Sequence, residues 1–335
     1  MRFPVVAVVL WVALAGCTLG RGQACPPQYV IAEVMDAQGR TVPNLAAANF
    51  RASYRGSEIS ITSASLREDP GARTILLLDT SVTMGGFGAE GFNKWRIARS
   101  AASQFIGVAP PQASVSLFTF SSKLEQSFRS SSGRQPIADW LDSRKTSQSS
   151  FLKGTKAFYK TLPEVLKELE PAQPGDAIYL ITDGREFTDG ATLLRAADEL
   201  QSSGVRLFAF LLDDVTFTSA RPQLGGGQVS DLVQGSGGLG IVWYPSGRSG
   251  TGRSWSDKSF EYDEATTPQR IRASDYRIEG AITHFYVLSL APHAGPPGPD
   301  NWKLEVVDAQ GNKRNDVFVA YPGKFQGCNG GTGSH

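Results

Sequence analysis

Four stretches of the chain are mainly apolar: Thr74 to Asp79, Ala177 to Thr182 and Val205 to Leu212 almost without interruption, and Ser114 to Phe120 with Ser and Thr among its apolar residues. Runs of this length without alternation predict parallel strands buried on both faces. Between them, apolar positions return at helical spacing. Trp95, Ala98, Ala102 and Phe105 share one face of 91–107, and Phe158, Leu162, Val165, Leu166 and Leu169 share one face of 155–170. Pro163 is expected to kink or restart that second helix. Leu193, Leu194, Ala197 and Leu200 mark a third helix, ending before Gly204. Strands alternating with helices predict the α/β class, with a doubly wound, mostly parallel sheet.

The flanks read differently. Tyr29 to Val34 alternates weakly and runs into a turn at Asp36-Ala37-Gln38-Gly39; Phe50 to Leu66 is β-like, with its own turn at Arg55-Gly56-Ser57. Strands resume at Ile282 to Leu290, Trp302 to Val307 and Asp316 to Tyr321. Val307-Asp308-Ala309-Gln310-Gly311 echoes Met35-Asp36-Ala37-Gln38-Gly39. The expected organisation is therefore a β segment over 29–68, an α/β domain over 73–245 and a Ser/Gly/Arg-rich loop or linker over 246–274. A second β segment follows over 276–322, then a Gly-rich tail over 323–335. The two β segments are expected to build one small accessory β module.

Composition narrows the class. The 335 residues carry 33 Lys+Arg against 32 Asp+Glu, a net charge of +1, so no bulk field favours nucleic acid or an anionic membrane. Hydrophobic residues at 41% and charged residues at 19% exclude intrinsic disorder for the chain as a whole. His284, His293 and His335 are too few and too scattered for a histidine-built metal centre.

The first residues read as an address. Pro4 to Gly16, after Arg2, is almost wholly apolar but shorter than the about 20 residues that a bilayer span needs, which predicts a secretory signal. Leu14-Ala15-Gly16-Cys17 fits a bacterial lipoprotein box, giving a signal over 1–16, an acylated Cys17 and a place in the cell envelope, at the outer membrane or periplasm. Gly22-Gln23-Ala24 offers an ordinary cleavage site instead, giving a signal over 1–24 and a secreted protein. In an exported chain Cys25 and Cys328 can form a disulfide, and two unpaired thiols are the alternative.

The chemistry gathers at strand ends. Asp79-Thr80-Ser81-Val82-Thr83 closes the first apolar run, Thr155 follows Lys153-Gly154 at a helix start, and Asp183 closes the run over Ala177 to Thr182. Ligand sites in open α/β sheets cluster at such carboxyl ends. Two carboxylates and three hydroxyls form an all-oxygen set suited to a hard divalent cation. LLLDTSVTM, KGT and ITDG together resemble the metal-ion-dependent adhesion site (MIDAS) of von Willebrand factor type A domains. LVQGSGG at 232–238 resembles that domain's late turn. The segment from Val34 through Leu45 to Phe50 and the β segment from Tyr286 to Tyr321 resemble the VWFA-related Acidobacterial domain group.

The resemblance implies direct metal ligation by Ser81, Thr83 and Thr155, with Asp79 and Asp183 often acting through water. Mg²⁺ is the expected ion, with Mn²⁺ or Ca²⁺ as alternatives. Thr83 stands where serine is usual and Val82 where bacterial members commonly have glycine. The implied function is non-catalytic, metal-dependent binding of a protein that offers an acidic residue, in an exported protein that meets a membrane only through a lipid on Cys17.

Two other functions compete with it. One is a metal-independent structural subunit of an envelope complex. The other is a haloacid-dehalogenase-like phosphohydrolase using Asp79, Asp183 and Asp189. That chemistry needs a second carboxylate two residues after the nucleophile, where this chain has Ser81. Asp213-Asp214 reads as a solvated turn.

Overall fold

Residues 28–85, 92–144, 152–184, 186, 188–212, 226–243, 264–291 and 302–323 are described by a computed structural model. The amino-terminal β segment supplies β1 (Gln28–Asp36), β2 (Phe50–Tyr54), β3 (Ser57–Ile59) and β4 (Ile61–Glu68). β2 and β3 are joined by the two-residue turn Arg55-Gly56, whose φ values of 49° and 82° are the left-handed pair that a tight hairpin requires. After β1, the Asp36 carboxylate accepts the backbone N–H groups of Gln38 and Arg40, both at 2.9 Å. Asp308 does the same for Gln310 and Asn312, at 2.9 and 2.8 Å. The sequence echo is thus one turn used twice, with Gly39 and Gly311 at positive φ in equivalent places.

The α/β layer follows. In chain order it comprises β5 (Arg73–Asp79), α1 (Phe92–Val108), β6 (Ser114–Phe120), β7 (Leu124–Phe128), α2 (Gln135–Ser143) and α3 (Phe158–Lys167). Next come β8 (Ala177–Thr182), α4 (Gly190–Ser203), β9 (Arg206–Leu211), α5 (Gly226–Gly235) and β10 (Gly240–Val242). The sheet order is β10-β9-β8-β5-β6-β7, parallel except for β7. The chain leaves β5 for β6 on one side and returns to β8 on the other, so the order reverses beside β5. Leu76, Leu78, Tyr179 and Ile181 face one core, and Ile75, Leu77, Ile178 and Leu180 face the other.

Three expectations are corrected. The helix over Phe158–Lys167 is continuous across Pro163, which neither stops nor restarts it. Leu194 is 65% exposed, whereas Leu200 is buried as expected, with Ala196 beside it and Leu193 and Ala197 half-buried against the same core. The third concerns the loop expected over 246–274. Its last residues, from Thr267 on, belong to α6 (Thr267–Thr283), which also takes the first residues assigned to the C-terminal β segment. Ile271, Ile278, Ala281 and Ile282 form the apolar stripe of α6, but its middle position is Asp275, buried like its neighbours. A carboxylate in the stripe hid the periodicity. β7 and α2 were likewise not anticipated.

α6 lies against α1, where the Gln104 side chain donates to Pro268 O at 2.9 Å. It leads directly into β11 (His284–Leu290), followed by β12 (Trp302–Val306) and β13 (Val317–Ala320). These strands complete two antiparallel sheets, β13-β1-β11-β4 and β12-β2-β3, which share a core including Val34, Phe50, Ala52, Tyr286, Leu288 and Trp302. Strands from both ends of the chain therefore form one β unit.

That unit meets the amino-terminal ends of the parallel strands. Arg206, at the start of β9 and 1% exposed, pairs with Glu33 of β1 at 2.6 Å. Its guanidinium also donates to the carbonyls of Ala281 and Ile282 and lies over the Phe285 ring. Among the described residues no helix is long and apolar enough to cross a membrane.

Candidate functional site

The opposite ends of the strands carry the crevice, beside the reversal of strand order where an open α/β sheet leaves room for a ligand. At the end of β5 the Thr80 N–H donates to Phe120 O at 2.7 Å, and the chain then turns through a short 3-10 segment, Val82–Met84. Met84 is fully buried and anchors this turn, while Val82 is half exposed at the rim. The Asp79 carboxylate has no exposed surface. Its Oδ1 accepts the Ser81 N–H at 2.8 Å and its Oδ2 accepts the Thr182 hydroxyl at 2.6 Å. The hydroxyls of Ser81 and Thr83 stand 3.0 Å apart.

The second loop is laid along the first by backbone bonds, from Lys153 N–H to Thr80 O at 3.1 Å and from Val82 N–H to Gly154 O at 3.3 Å. Gly154 has φ +72°, and a Cβ there would lie 3.1 Å from the hydroxyls of Ser121 and Ser122. Thr155, next in the chain, is exposed. The third loop adds Asp183, whose side chain is wholly buried. The five residues singled out in the sequence thus sit on three loops at one end of the sheet, with Asp79 tied to the first and third.

Sequence reasoning missed the cations. The Lys156 side chain, 3% exposed, lies 2.9 Å from Asp79 Oδ2 and also pairs with Asp183 Oδ1. Burial works against its charge, but the facing carboxylates of Asp79 and Asp183 outweigh it and hold the ammonium pKa above the ordinary lysine value. Lys94 of α1, also buried, approaches Asp183 Oδ2 at 3.6 Å. The available signal was Lys156 itself, a charged residue directly after Thr155 at the entry to a helix that buries its next residues.

Glu186 was missed as well. Its carboxylate accepts the N–H groups of Phe158, at 2.5 Å, and Tyr159, at 3.4 Å, where α3 begins. A negative charge at a helix start is favourable, although burial raises the Glu186 pKa above its ordinary value. Asp189 is the N-cap of α4, its carboxylate engaged by the N–H and hydroxyl of Thr192 at 2.8 and 2.9 Å. Cys17, Cys25, Cys328 and Asp213-Asp214 lie outside the described residues.

Residues 75–227 match the family model of the von Willebrand factor type A domain. The chain carries a von Willebrand factor type A domain. No curated protein sequence matches the chain. Among solved structures it is similar to an aerotolerance-related membrane protein from Bacteroides fragilis, at 16% identity over 63% of this chain and 98% of that one, with a TM-score of 0.43. It is also similar to a von Willebrand factor type A protein from Catenulispora acidiphila, at 11% identity over 89% and 73% of the two chains, TM-score 0.44. A third likeness is to the manganese-loaded TRAP protein of Plasmodium vivax, at 18% identity over 77% and 95%, TM-score 0.39.

In this von Willebrand factor type A domain the oxygen donors fit a hard divalent ion in kind: hydroxyls from Ser81, Thr83 and Thr155, carboxylates from Asp79 and Asp183. Among the described residues no cluster of three or more Asp, Glu, His or Cys converges as a metal centre. The hydroxyls must therefore complete any coordination sphere. Lys156 already pairs with both carboxylates and offsets one of their two charges.

Proposed function

We propose that the chain is an exported, non-catalytic protein-binding module whose von Willebrand factor type A domain recognises its partner at the crevice. The observation that carries this reading is the gathering of three loops at one end of the sheet: Asp79 joins Ser81 and Thr182 through its two oxygens, and the second loop is bonded along the first. Ser81, Thr83 and Thr155 would hold a divalent ion directly, Mg²⁺ first and Mn²⁺ or Ca²⁺ as alternatives, with Asp79 and Asp183 behind them. Such an ion supplies an open coordination position for a carboxylate of the partner. Val82 adds apolar surface at the rim. Von Willebrand factor type A domains are in general interaction modules without catalysis, and Ser81 leaves a phosphohydrolase without its acid.

Export, with Cys17 acylated or the chain cleaved after Ala24, belongs to the same proposal, as does a Cys25–Cys328 disulfide. Supporting the disulfide, β13 runs antiparallel to β1, so the chain leaves β13 heading toward the end where β1 begins.

The test removes an exposed donor and leaves the buried pair alone. Thr155→Ala should keep the wild-type fold and melting temperature in EDTA, and should lose most of the rise in melting temperature that millimolar Mn²⁺ gives wild type. Saturation at about 100 times the dissociation constant is worth about 2.7 kcal/mol, an easily read shift. An identical Mn²⁺ shift in both proteins would remove Thr155 from the site. The second reading, a metal-independent docking subunit, is favoured by the Lys156 pairing, and partner capture unchanged in EDTA would establish it.

A further inference from the structure

Buried carboxylates need a counter-charge, because an unpaired charge in a low-dielectric site is very costly. Here the chain supplies one. Lys156 follows Thr155 directly, and its side chain enters the crevice to lie 2.9 Å from Asp79 Oδ2 and in contact with Asp183 Oδ1. Lys94 reaches the other oxygen of Asp183 from α1 at 3.6 Å. The oxygens that would face a divalent ion therefore face ammonium groups, and Asp79 Oδ1 is already engaged by the Ser81 N–H. An ammonium donates hydrogen bonds and a metal ion accepts lone pairs, so both draw on the same carboxylate oxygens, and two cations at one pair of carboxylates repel strongly.

We propose that Lys156 is the resident cation of this site, competing with the divalent metal for Asp79 and Asp183 and setting how tightly the metal binds. The inference rests on the metal-site reading above and deepens it. In the lysine-paired state the crevice presents the hydroxyls of Ser81, Thr83 and Thr155 without a metal to receive a partner's carboxylate. In the metal-bound state the Lys156 ammonium has left the carboxylates. Lys156 thereby makes this site weaker and more dependent on metal concentration than the same oxygen set would be without it.

The experiment is a calorimetric titration of the soluble chain from residue 25 onward with Mn²⁺, comparing wild type with Lys156→Met, which keeps the aliphatic length and removes the charge. Lys156→Met should bind Mn²⁺ about tenfold more tightly or better, and its melting temperature, lowered in EDTA, should recover when Mn²⁺ is added. Equal affinity in the two proteins would overturn the competition while leaving the metal site standing. Absence of binding in both would overturn the metal site and the competition with it. A wild-type measurement covers the case in which the variant does not fold in EDTA. Saturating Mn²⁺ should expose Lys156 to amine acylation, read by peptide mass spectrometry, and labelling unchanged by bound metal would overturn the displacement.

Discussion

Two aspartates without exposed surface are handled in opposite ways. Asp79 receives a backbone N–H, a hydroxyl and an ammonium. Asp275 receives the Tyr179 hydroxyl, at 2.7 Å, and burial drives its pKa well above the ordinary aspartate value against that hydrogen bond. With the folded pKa above the unfolded one, the native state holds the proton more tightly, so this stabilisation is present below about pH 3.8 and is lost as pH rises. Asp275→Asn keeps an acceptor for Tyr179 and never ionises. It should therefore match wild type in melting temperature at the acid end and exceed it by several degrees at neutral pH, at about 2–4 °C for each kcal/mol in a domain of this size. A pH-independent difference between the two would show that Asp275 does not titrate in this way. The same residue limited what could be read from the sequence. The crevice positions Asp79, Ser81, Thr83, Thr155 and Asp183 were legible because strand-end loops follow apolar runs at fixed offsets. α6 was not, because its central core position is an acid. Lys156 was not, because only the fold turns its side chain inward.

At the scale of elements, the join between the β unit and the parallel sheet depends on Arg206. This one side chain at the head of β9 reaches β1 through Glu33 and the end of α6 through two carbonyls. Burial pushes the Glu33 carboxyl up to about 8, with Arg206 opposing the rise through its charge and its hydrogen bond. Removing the cation leaves the acid and the carbonyls without their donor, so Arg206→Ala should cost about 3–5 kcal/mol in chemical denaturation. A paired Glu33→Gln, Arg206→Met variant should lose less than Arg206→Ala alone, since buried ion pairs are often matched by neutral packing. A greater loss in the double variant would mean that the charges themselves hold the elements together. The element order was readable from apolar runs, whereas this join was not, since neither Glu33 nor Arg206 stands out in its local sequence.

For the whole molecule, the type A domain is inserted in a β unit. β4 leads into β5, α6 returns into β11, and β1 lies between β11 and β13. The matched span of 75–227 therefore lacks α6, which covers α1, and every strand of the β unit. A protein cut to 75–227 should be aggregated or lack a cooperative melt, whereas 28–323 should unfold in a single calorimetric transition. Independent, reversible folding of the short fragment would show that α6 and the Arg206 contacts are dispensable.

The two ends of the parallel sheet have different occupants: the crevice lies past the carboxyl ends, and the β unit with Arg206 sits against the amino ends. A pull applied between the crevice and the β unit would consequently run lengthwise along β5 and β8. It would meet their ladder of hydrogen bonds sideways, all loaded together rather than unzipped one after another. A partner bound as proposed would thus pull on the sheet in its stronger direction.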